Sequence, residues 1–367
     1  MKFNCEKDVI LREIQVAQEV ISSKTSMSIL SNVYLSVAED TLTVRATDLK
    51  VGFETRVPVE VASPGKTTVF CDKLLGILRS LPDGEVEFEQ TDSTTFVIRP
   101  RFKKIDFQLR SIDADKYPEI QLAEDQAYFD VPQSDFIEMI SQTVFAVSDD
   151  ETRYFMNGVY MEQSDGEVVM VATDGRRLAL IRKSSSEGIP EFQGVIIPPK
   201  ILQMVRKLAS GEGSISLAVG EKNVFCRFEN QRISSALIEG QFPNYRRVIP
   251  DSQEHRLEVS REELLEALKR VSLLVEKSRR IYLSVAENSL TLTSEESEVG
   301  HASEEISCSF EGPETKIALN YSYLTEPLRV IETDSVALLF TEPGKALTIE
   351  SVPKSDYFHI VMPMQLD

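Results

Sequence analysis

Val33-Tyr34-Leu35-Ser36-Val37-Ala38-Glu39 returns almost unchanged as Ile281-Tyr282-Leu283-Ser284-Val285-Ala286-Glu287. Each copy leads at the same offset into a run with apolar residues at every second position, Thr41-Leu42-Thr43-Val44 and Ser289-Leu290-Thr291-Leu292. Period two marks a strand with one buried face. A weaker third copy lies between them as Val159-Tyr160-Met161, then Val168-Val169-Met170-Val171-Ala172-Thr173-Asp174, whose end matches Arg45-Ala46-Thr47-Asp48. Such self-similarity has to be read before any shorter motif, because it sets the size of the folding unit.

Helical periodicity repeats with the strands. Ile10, Ile14, Ala17 and Ile21 fall at i, i+4, i+7 and i+11, as do Leu264, Leu268, Val271 and Val275, while Phe136, Ile140 and Val147 match all but one position. The third of these helices opens on Ser260-Arg261-Glu262-Glu263, a Ser-x-x-Glu capping box. A second helix is predicted in two copies, over Lys73–Leu81 and Lys200–Leu208, with Gly84 and Gly211 expected to end them. Tyr117-Pro118 then matches Phe242-Pro243. The chain is therefore read as three α+β domains of one architecture, 1–124, 125–252 and 253–367, each with two helices and antiparallel sheets. Boundaries belong in the acidic, turn-rich stretches near 121–130 and 250–257. About 120 residues is far longer than the roughly 20 to 50 of a solenoid repeat, so each copy can hold its own core.

Composition narrows the function. A net charge of -19 excludes a protein that coats nucleic acid with its whole surface, but it permits a basic stripe within an acidic body. Cys5, Cys71, Cys226 and Cys308 stand too far apart for a disulfide framework or a zinc site and are expected as buried thiols. The opening Met1-Lys2-Phe3-Asn4-Cys5-Glu6-Lys7-Asp8 has no apolar stretch, and no run in the chain approaches the roughly 20 apolar residues of a membrane span. A cytoplasmic protein without membrane association is expected.

No reaction centre emerges. Ser63-Pro64-Gly65-Lys66-Thr67 resembles the end of a phosphate-binding loop, but Glu60 occupies the position of its first glycine. His255, His301 and His359 lack metal-pair spacing and read as surface or packed histidines, and Asp149-Asp150-Glu151 reads as an acidic loop. No catalytic residue, metal or cofactor is expected. Basic residues are few and localised: Lys73 and Arg79 on one second helix, Lys200, Arg206 and Lys207 on its counterpart, and Arg99, Arg101, Lys103 and Lys104 before a strand. One such run is usually a solvated face. Recurrence in two repeats changes that, since repeats set in a ring aim equivalent helices at one centre.

Along its whole length the chain resembles the beta subunit of bacterial DNA polymerase III, the sliding clamp family. The resemblance is carried by Met1-Lys2-Phe3, Ala172-Thr173-Asp174-Gly175-Arg176-Arg177-Leu178-Ala179, Phe242-Pro243-Asn244-Tyr245-Arg246-Arg247-Val248 and Val361-Met362-Pro363-Met364-Gln365-Leu366, in order on a triple repeat. It implies a head-to-tail homodimeric ring that encircles duplex DNA without reading its sequence, and that tethers the replicative polymerase, the clamp loader and repair proteins. For the dimer interface it points to Lys104, Phe107 and Leu109 against Leu273, Leu274, Glu304 and Glu305. For the DNA channel the candidates are Lys24, Lys73, Arg79, Lys200, Arg206 and Lys207. Partners of the family insert a short peptide of the character Gln-Leu-x-Leu-Phe into an apolar groove. The matching positions are Arg153, Phe155, Met156, Thr173, Gly175, Arg177, Leu178, Pro243, Arg247, Val248, Asn320, Tyr323, Val361, Met362, Pro363 and Met364. Arg176, Gln365 and Met156 depart from residues common in the family, and Pro327 predicts a kink or early irregularity in the second helix of the third repeat. Two rival readings are a nucleotide hydrolase using Gly65-Lys66-Thr67 and a protein-only peptide scaffold that does not encircle DNA.

Overall fold

Helices form where the apolar spacing asks for them, though they stop sooner. The computed structural model describes residues 1–21, 27–122, 126–184 and 188–365, so the expected boundary at 124 and 125 lies outside the described residues. Six α-helices occur among these: α1 (Lys7–Val20), α2 (Cys71–Ser80), α3 (Gln133–Thr143), α4 (Pro199–Leu208), α5 (Arg261–Val271) and α6 (Tyr321–Val330). Ile10, Ile14 and Ala17 of α1, Phe136 and Ile140 of α3, and Leu264 and Leu268 of α5 are fully or almost fully buried. Each such aliphatic or aromatic side chain removed from water contributes roughly 1.5–3 kcal/mol.

The last member of each predicted stripe falls beyond its helix. Ile21 is the C-cap of α1, while α3 and α5 break into short 3-10 turns, Val144–Ala146 and Ser272–Leu274, before Val147 and Val275. Gly84 and Gly211 do not cap their helices either. Leu81 and Ala209 end α2 and α4 in extended backbone, their amides donating to the Ile77 and Val205 carbonyls. Ser260 does cap α5, its hydroxyl accepting from the Glu263 amide at 3.3 Å.

Pro327 does not interrupt its helix. The α6 helix continues through it, with the Asn320 side chain accepting from the Ser322 amide at 3.0 Å and the Ile331 amide donating to the Pro327 carbonyl at 3.1 Å. Proline here deletes a single bond, the one to the Tyr323 carbonyl four residues back. Leu324, Thr325 and Leu328 around it are buried and hold the helix by packing.

The chain forms two compact units, Met1–Asp130 with Ser214–Ala236, and Val131–Gly213 with Leu237–Asp367. The first holds a 13-stranded sheet carrying α1 packed on α2; the second holds a 12-stranded sheet with α3 on α4 and α5 on α6. Every strand pairing described is antiparallel. Cys5, Cys71 and Cys226 are buried free thiols, which burial pushes up to about 11, 12 and 12, so they stay protonated and unreactive.

One pairing explains why the middle repeat is shared between the units. Within the first, the strand Gln231–Ala236 pairs with Val51–Pro58, setting Val51 opposite Ser235 and Phe53 opposite Ile233. Within the second, Arg177–Ser184 pairs with Tyr357–Val361, setting Arg177 opposite Val361 and Ala179 opposite His359. Moving both strands of the first pair by 126 residues (Val51 to Arg177, Ser235 to Val361) gives the second. The same joint is thus built twice.

Its third counterpart is present only as two halves. In the first unit, the Phe107–Ile112 strand pairs with Thr95–Ile98 through residues 107–110, while its other neighbour reaches only Ser111 and Ile112. In the second unit, Ser303–Ser309 pairs with Ser289–Thr293 through residues 303–307, and its other neighbour reaches only Cys308 and Ser309. Among the described residues each stretch therefore has one open edge. Open edges are liabilities that folded proteins cover or pair.

Candidate functional site

A tight turn at Thr173–Arg177 organises the expected groove, all of it within the second unit. The Thr173 hydroxyl donates to the Arg177 carbonyl at 2.6 Å and accepts from the Gly175 amide at 3.0 Å; the Asp174 carboxylate accepts from the Arg176 and Arg177 amides at 2.9 and 3.1 Å. Gly175 has φ 88°, and a Cβ there would lie 2.9 Å from Arg153 Nη1, so glycine is what lets the Arg153 side chain approach. Arg153 is itself placed by Asp150, whose carboxylate accepts from Arg153 Nε at 2.8 Å. The Thr152 side chain first, then the Arg153 side chain and the Thr152 amide hold that carboxyl down to about 2.

The first unit contains the same turn. Thr47, Asp48, Lys50 and Val51 reproduce all four hydrogen bonds at 2.8, 3.0, 2.9 and 2.7 Å. The position equivalent to Gly175 is Leu49, at φ 75° and 60% exposed. The turn therefore tolerates leucine, but with a side chain standing where the second unit leaves open surface.

Arg177 is consumed by the protein. Its Nε donates to Asp174 at 3.0 Å, Nη2 to the Phe145 carbonyl at 2.7 Å and Nη1 to Glu326, and the guanidinium lies over the Tyr323 ring at 4.6 Å. It braces the turn against α6. Met156, Thr173, Leu178 and Val361 are buried as well and form the base. Arg153, Gly175, Arg247, Val248 and Met362 are exposed, while Phe155, Pro243, Asn320, Tyr323, Pro363 and Met364 are half-buried. Arg176 and Gln365 are exposed beside them.

His359 lies under this brace, fully buried and 5.6 Å from the Phe145 ring. Neither ring nitrogen makes a hydrogen bond of normal geometry. Burial first, then the Arg177 charge, hold it down to about 3, with the Tyr323 carbonyl, bereft of an amide donor by Pro327, pulling weakly the other way. A base whose folded pKa is depressed gives its full stability above its unfolded value of about 6.5 and loses it as pH falls toward 3, at roughly 1.4 kcal/mol per pH unit. Chemical denaturation of His359→Leu should therefore show about 2 kcal/mol less acid loss than the parent between pH 6.5 and 4.5. Equal losses in both would refute this role.

The far wall comes from residues 242–248. Tyr160 stacks on Phe242 at 4.8 Å, and the Tyr160 and Tyr245 hydroxyls donate to the two oxygens of the buried Glu162 at 3.1 and 2.6 Å. Arg246 completes an ion pair with Glu162. Burial, then the Glu162 charge, push the Tyr160 phenol up to about 12. Around them pack Val169, Val171, Leu178, Leu180, Ile196 and Ile360, with Phe155 at the margin. Sequence reading missed Glu162, Tyr160 and Glu326: Glu162 meets Tyr245 and Arg246 83 and 84 residues on, Tyr160 stacks on Phe242, and Glu326 meets Arg177 149 residues back; the only local hint was the Phe242-Pro243 match.

The remaining candidates sit as follows. Lys73, Arg79, Arg206 and Lys207 are exposed on α2 and α4, Lys200 is half-buried, and Lys24 lies outside the described residues. Together the six helices carry eleven Lys and Arg against ten Asp and Glu, in a chain of net charge -19. The acidity therefore lies in the strands and loops. Lys104 is exposed and Phe107 and Leu109 are half-buried in the first unit; in the second, Leu273 is 81% exposed, Leu274 is half-buried and Glu305 is exposed. Glu304 is already held by Arg270 of its own chain at 2.7 and 2.9 Å.

Comparison with known proteins matches the whole length of the chain. Residues 1–121, 130–244 and 246–365 match the N-terminal, central and C-terminal domains of the DNA polymerase III beta subunit. The chain is 49% identical to the beta sliding clamp of Treponema pallidum and 30% identical to that of Escherichia coli K12, covering all of each protein. Solved sliding clamps from Pseudomonas aeruginosa and Bacillus subtilis superpose over their full length with TM-scores of 0.95 and 0.94, at 28% and 27% identity. Three domain matches in order and full-length identity place the chain in the family of DNA polymerase III beta subunits, the sliding clamps.

Proposed function

We propose that this chain is half of a sliding clamp, a ring closed by a second copy around duplex DNA, which keeps the replicative polymerase, clamp loader and repair proteins on the template and performs no chemistry. The observation that carries the reading is the joint built twice within the chain and left as two open halves. A further step of 126 residues places Ser303 opposite Leu109, Glu304 opposite Gln108 and Glu305 opposite Phe107 of the other copy. The same step sets Leu273, which follows α5 as Phe145 follows α3, beside Phe107, as Phe145 lies beside His359. Two-fold symmetry makes the contact twice. We assign three domains to each chain, 1–124, 125–252 and 253–367, and place the protein in the cytoplasm; no helix among the described residues is long and apolar enough to cross a membrane.

Helix dimensions support two copies. Helices about 10 Å wide set side by side give a six-member ring a bore of only about 10 Å, whereas twelve leave nearly 30 Å, enough for a duplex of about 20 Å and a layer of water. Base-specific contacts would stop such a ring from moving, so near-neutral helices with Lys73, Arg79, Lys200, Arg206 and Lys207 suit diffuse attraction to phosphates. Lys24 belongs to the same set on sequence grounds.

Retention on nicked circular plasmid, lost on linearisation, tests the reading, since only a topological link depends on free ends. A peptide scaffold that does not encircle DNA would show no such difference. Lys200→Glu with Arg206→Glu should lower loading at least tenfold, with a shallower salt dependence, while leaving the dimer intact. Undiminished loading would remove these residues from the channel.

In the groove, Met362 and Met364 suit a site that accepts several related peptides, because unbranched side chains repack easily.

A further inference from the structure

Glu162 poses a physical question that the groove alone does not answer. Its side chain is 11% exposed, among aliphatic and aromatic side chains. A buried ion pair is often no more stabilising than a well-packed apolar replacement, so a charge kept there needs another reason. Hydrogen bonds, unlike apolar contacts, have direction. All three groups that meet this carboxylate, Tyr160, Tyr245 and Arg246, fix one segment: Tyr245 and Arg246 belong to it, and Tyr160 stacks on its Phe242. Gly194 makes room for this arrangement, since a Cβ there would lie 1.9 Å from the Tyr160 hydroxyl.

The segment cannot place itself. Tyr245–Val248 is a single 3-10 turn with no side-chain cap, and one turn of helix is far too short to be stable alone. Its anchored residues Phe242 and Tyr245 are buried, whereas Arg247 and Val248 face outward, Val248 at 49% exposure. We infer that Glu162 is the positioning residue of the partner groove, its carboxylate fixing where Arg247 and Val248 stand and so setting affinity for the bound peptide. This rests on the groove reading above.

The test uses the full-length dimer with Glu162→Gln and Glu162→Leu. Without any peptide, hydrogen exchange at the Arg247 amide, bonded to the Asn244 carbonyl at 3.3 Å, should quicken at least tenfold in both. Fluorescence anisotropy with labelled Gln-Leu-Ser-Leu-Phe should show about tenfold weaker binding, while the thermal midpoint of Glu162→Leu stays within a few degrees of the parent. Val248→Ala should cost about fivefold in the parent and almost nothing on the Glu162→Leu background. Unchanged exchange across 245–249, or a full Val248→Ala loss on both backgrounds, overturns the positioning role. Should the parent clamp fail to bind the peptide while exchange still quickens, the groove reading falls and the positioning of the segment stands.

Discussion

Replacing Leu273 and Leu274 together by glutamate should turn the dimer into a folded monomer of 41.3 kDa and abolish retention on circular DNA. Leu273 is 81% exposed and Leu274 half-buried in the single chain, so the substitution removes little from the chain's own core and its unfolding midpoint should fall only slightly. The loss falls on the assembly. Two leucines contribute roughly 1.5–3 kcal/mol each when buried, and a carboxylate forced into their place adds an uncompensated desolvation cost of at least similar size. Even 4 kcal/mol at each contact raises the dissociation constant about a thousandfold, and the symmetric ring suffers it twice. Sedimentation velocity at micromolar concentration reads the outcome. A dimer that persists would remove this surface from the interface, and the proposed pairing of Glu305 with Phe107 would go with it.

Gly175→Leu should weaken binding of a Gln-Leu-Ser-Leu-Phe peptide more than a hundredfold while the domain stays folded. Both halves of that expectation come from Leu49, which holds the same four hydrogen bonds at φ 75° with its side chain in solvent. The left-handed backbone costs a leucine about 1–2 kcal/mol, tolerable in a domain of this size. The side chain would displace Arg153, whose Nη1 lies 2.9 Å from where a Cβ would stand, and project into solvent there as Leu49 does in the first unit. Anisotropy titration with circular dichroism separates the two effects. Parent-like affinity in a folded variant would show that the peptide does not pass over this turn.

Much of the fold was legible from local signals. Period-two runs marked the strands and the i, i+4 spacing marked α1, α3 and α5, because a side chain's burial depends on which face of its own element it occupies. The errors were also local: Val147 and Val275 kept the spacing after the backbone had turned into 3-10 geometry, and Pro327 met packing strong enough to carry the helix through. Of the groove, the Thr173–Arg177 turn and the Val361–Met364 tail were readable as repeated or matched motifs. Glu162 and Glu326 were not, since Tyr245, Arg246 and Arg177, which they hold, lie 83, 84 and 149 residues away.

By itself, the sequence determined that one module occurs three times, that basic residues gather on two equivalent helices of an acidic chain, and where several of its strands lie. Only the tertiary structure decided that Val51 meets Ser235 and Arg177 meets Val361 while residues 107–110 and 303–307 keep open edges. The reason is physical: periodicity states which face of a strand is buried, but the backbone groups along its edges are alike in every residue except proline. Which edge they pair with is settled by how the modules pack.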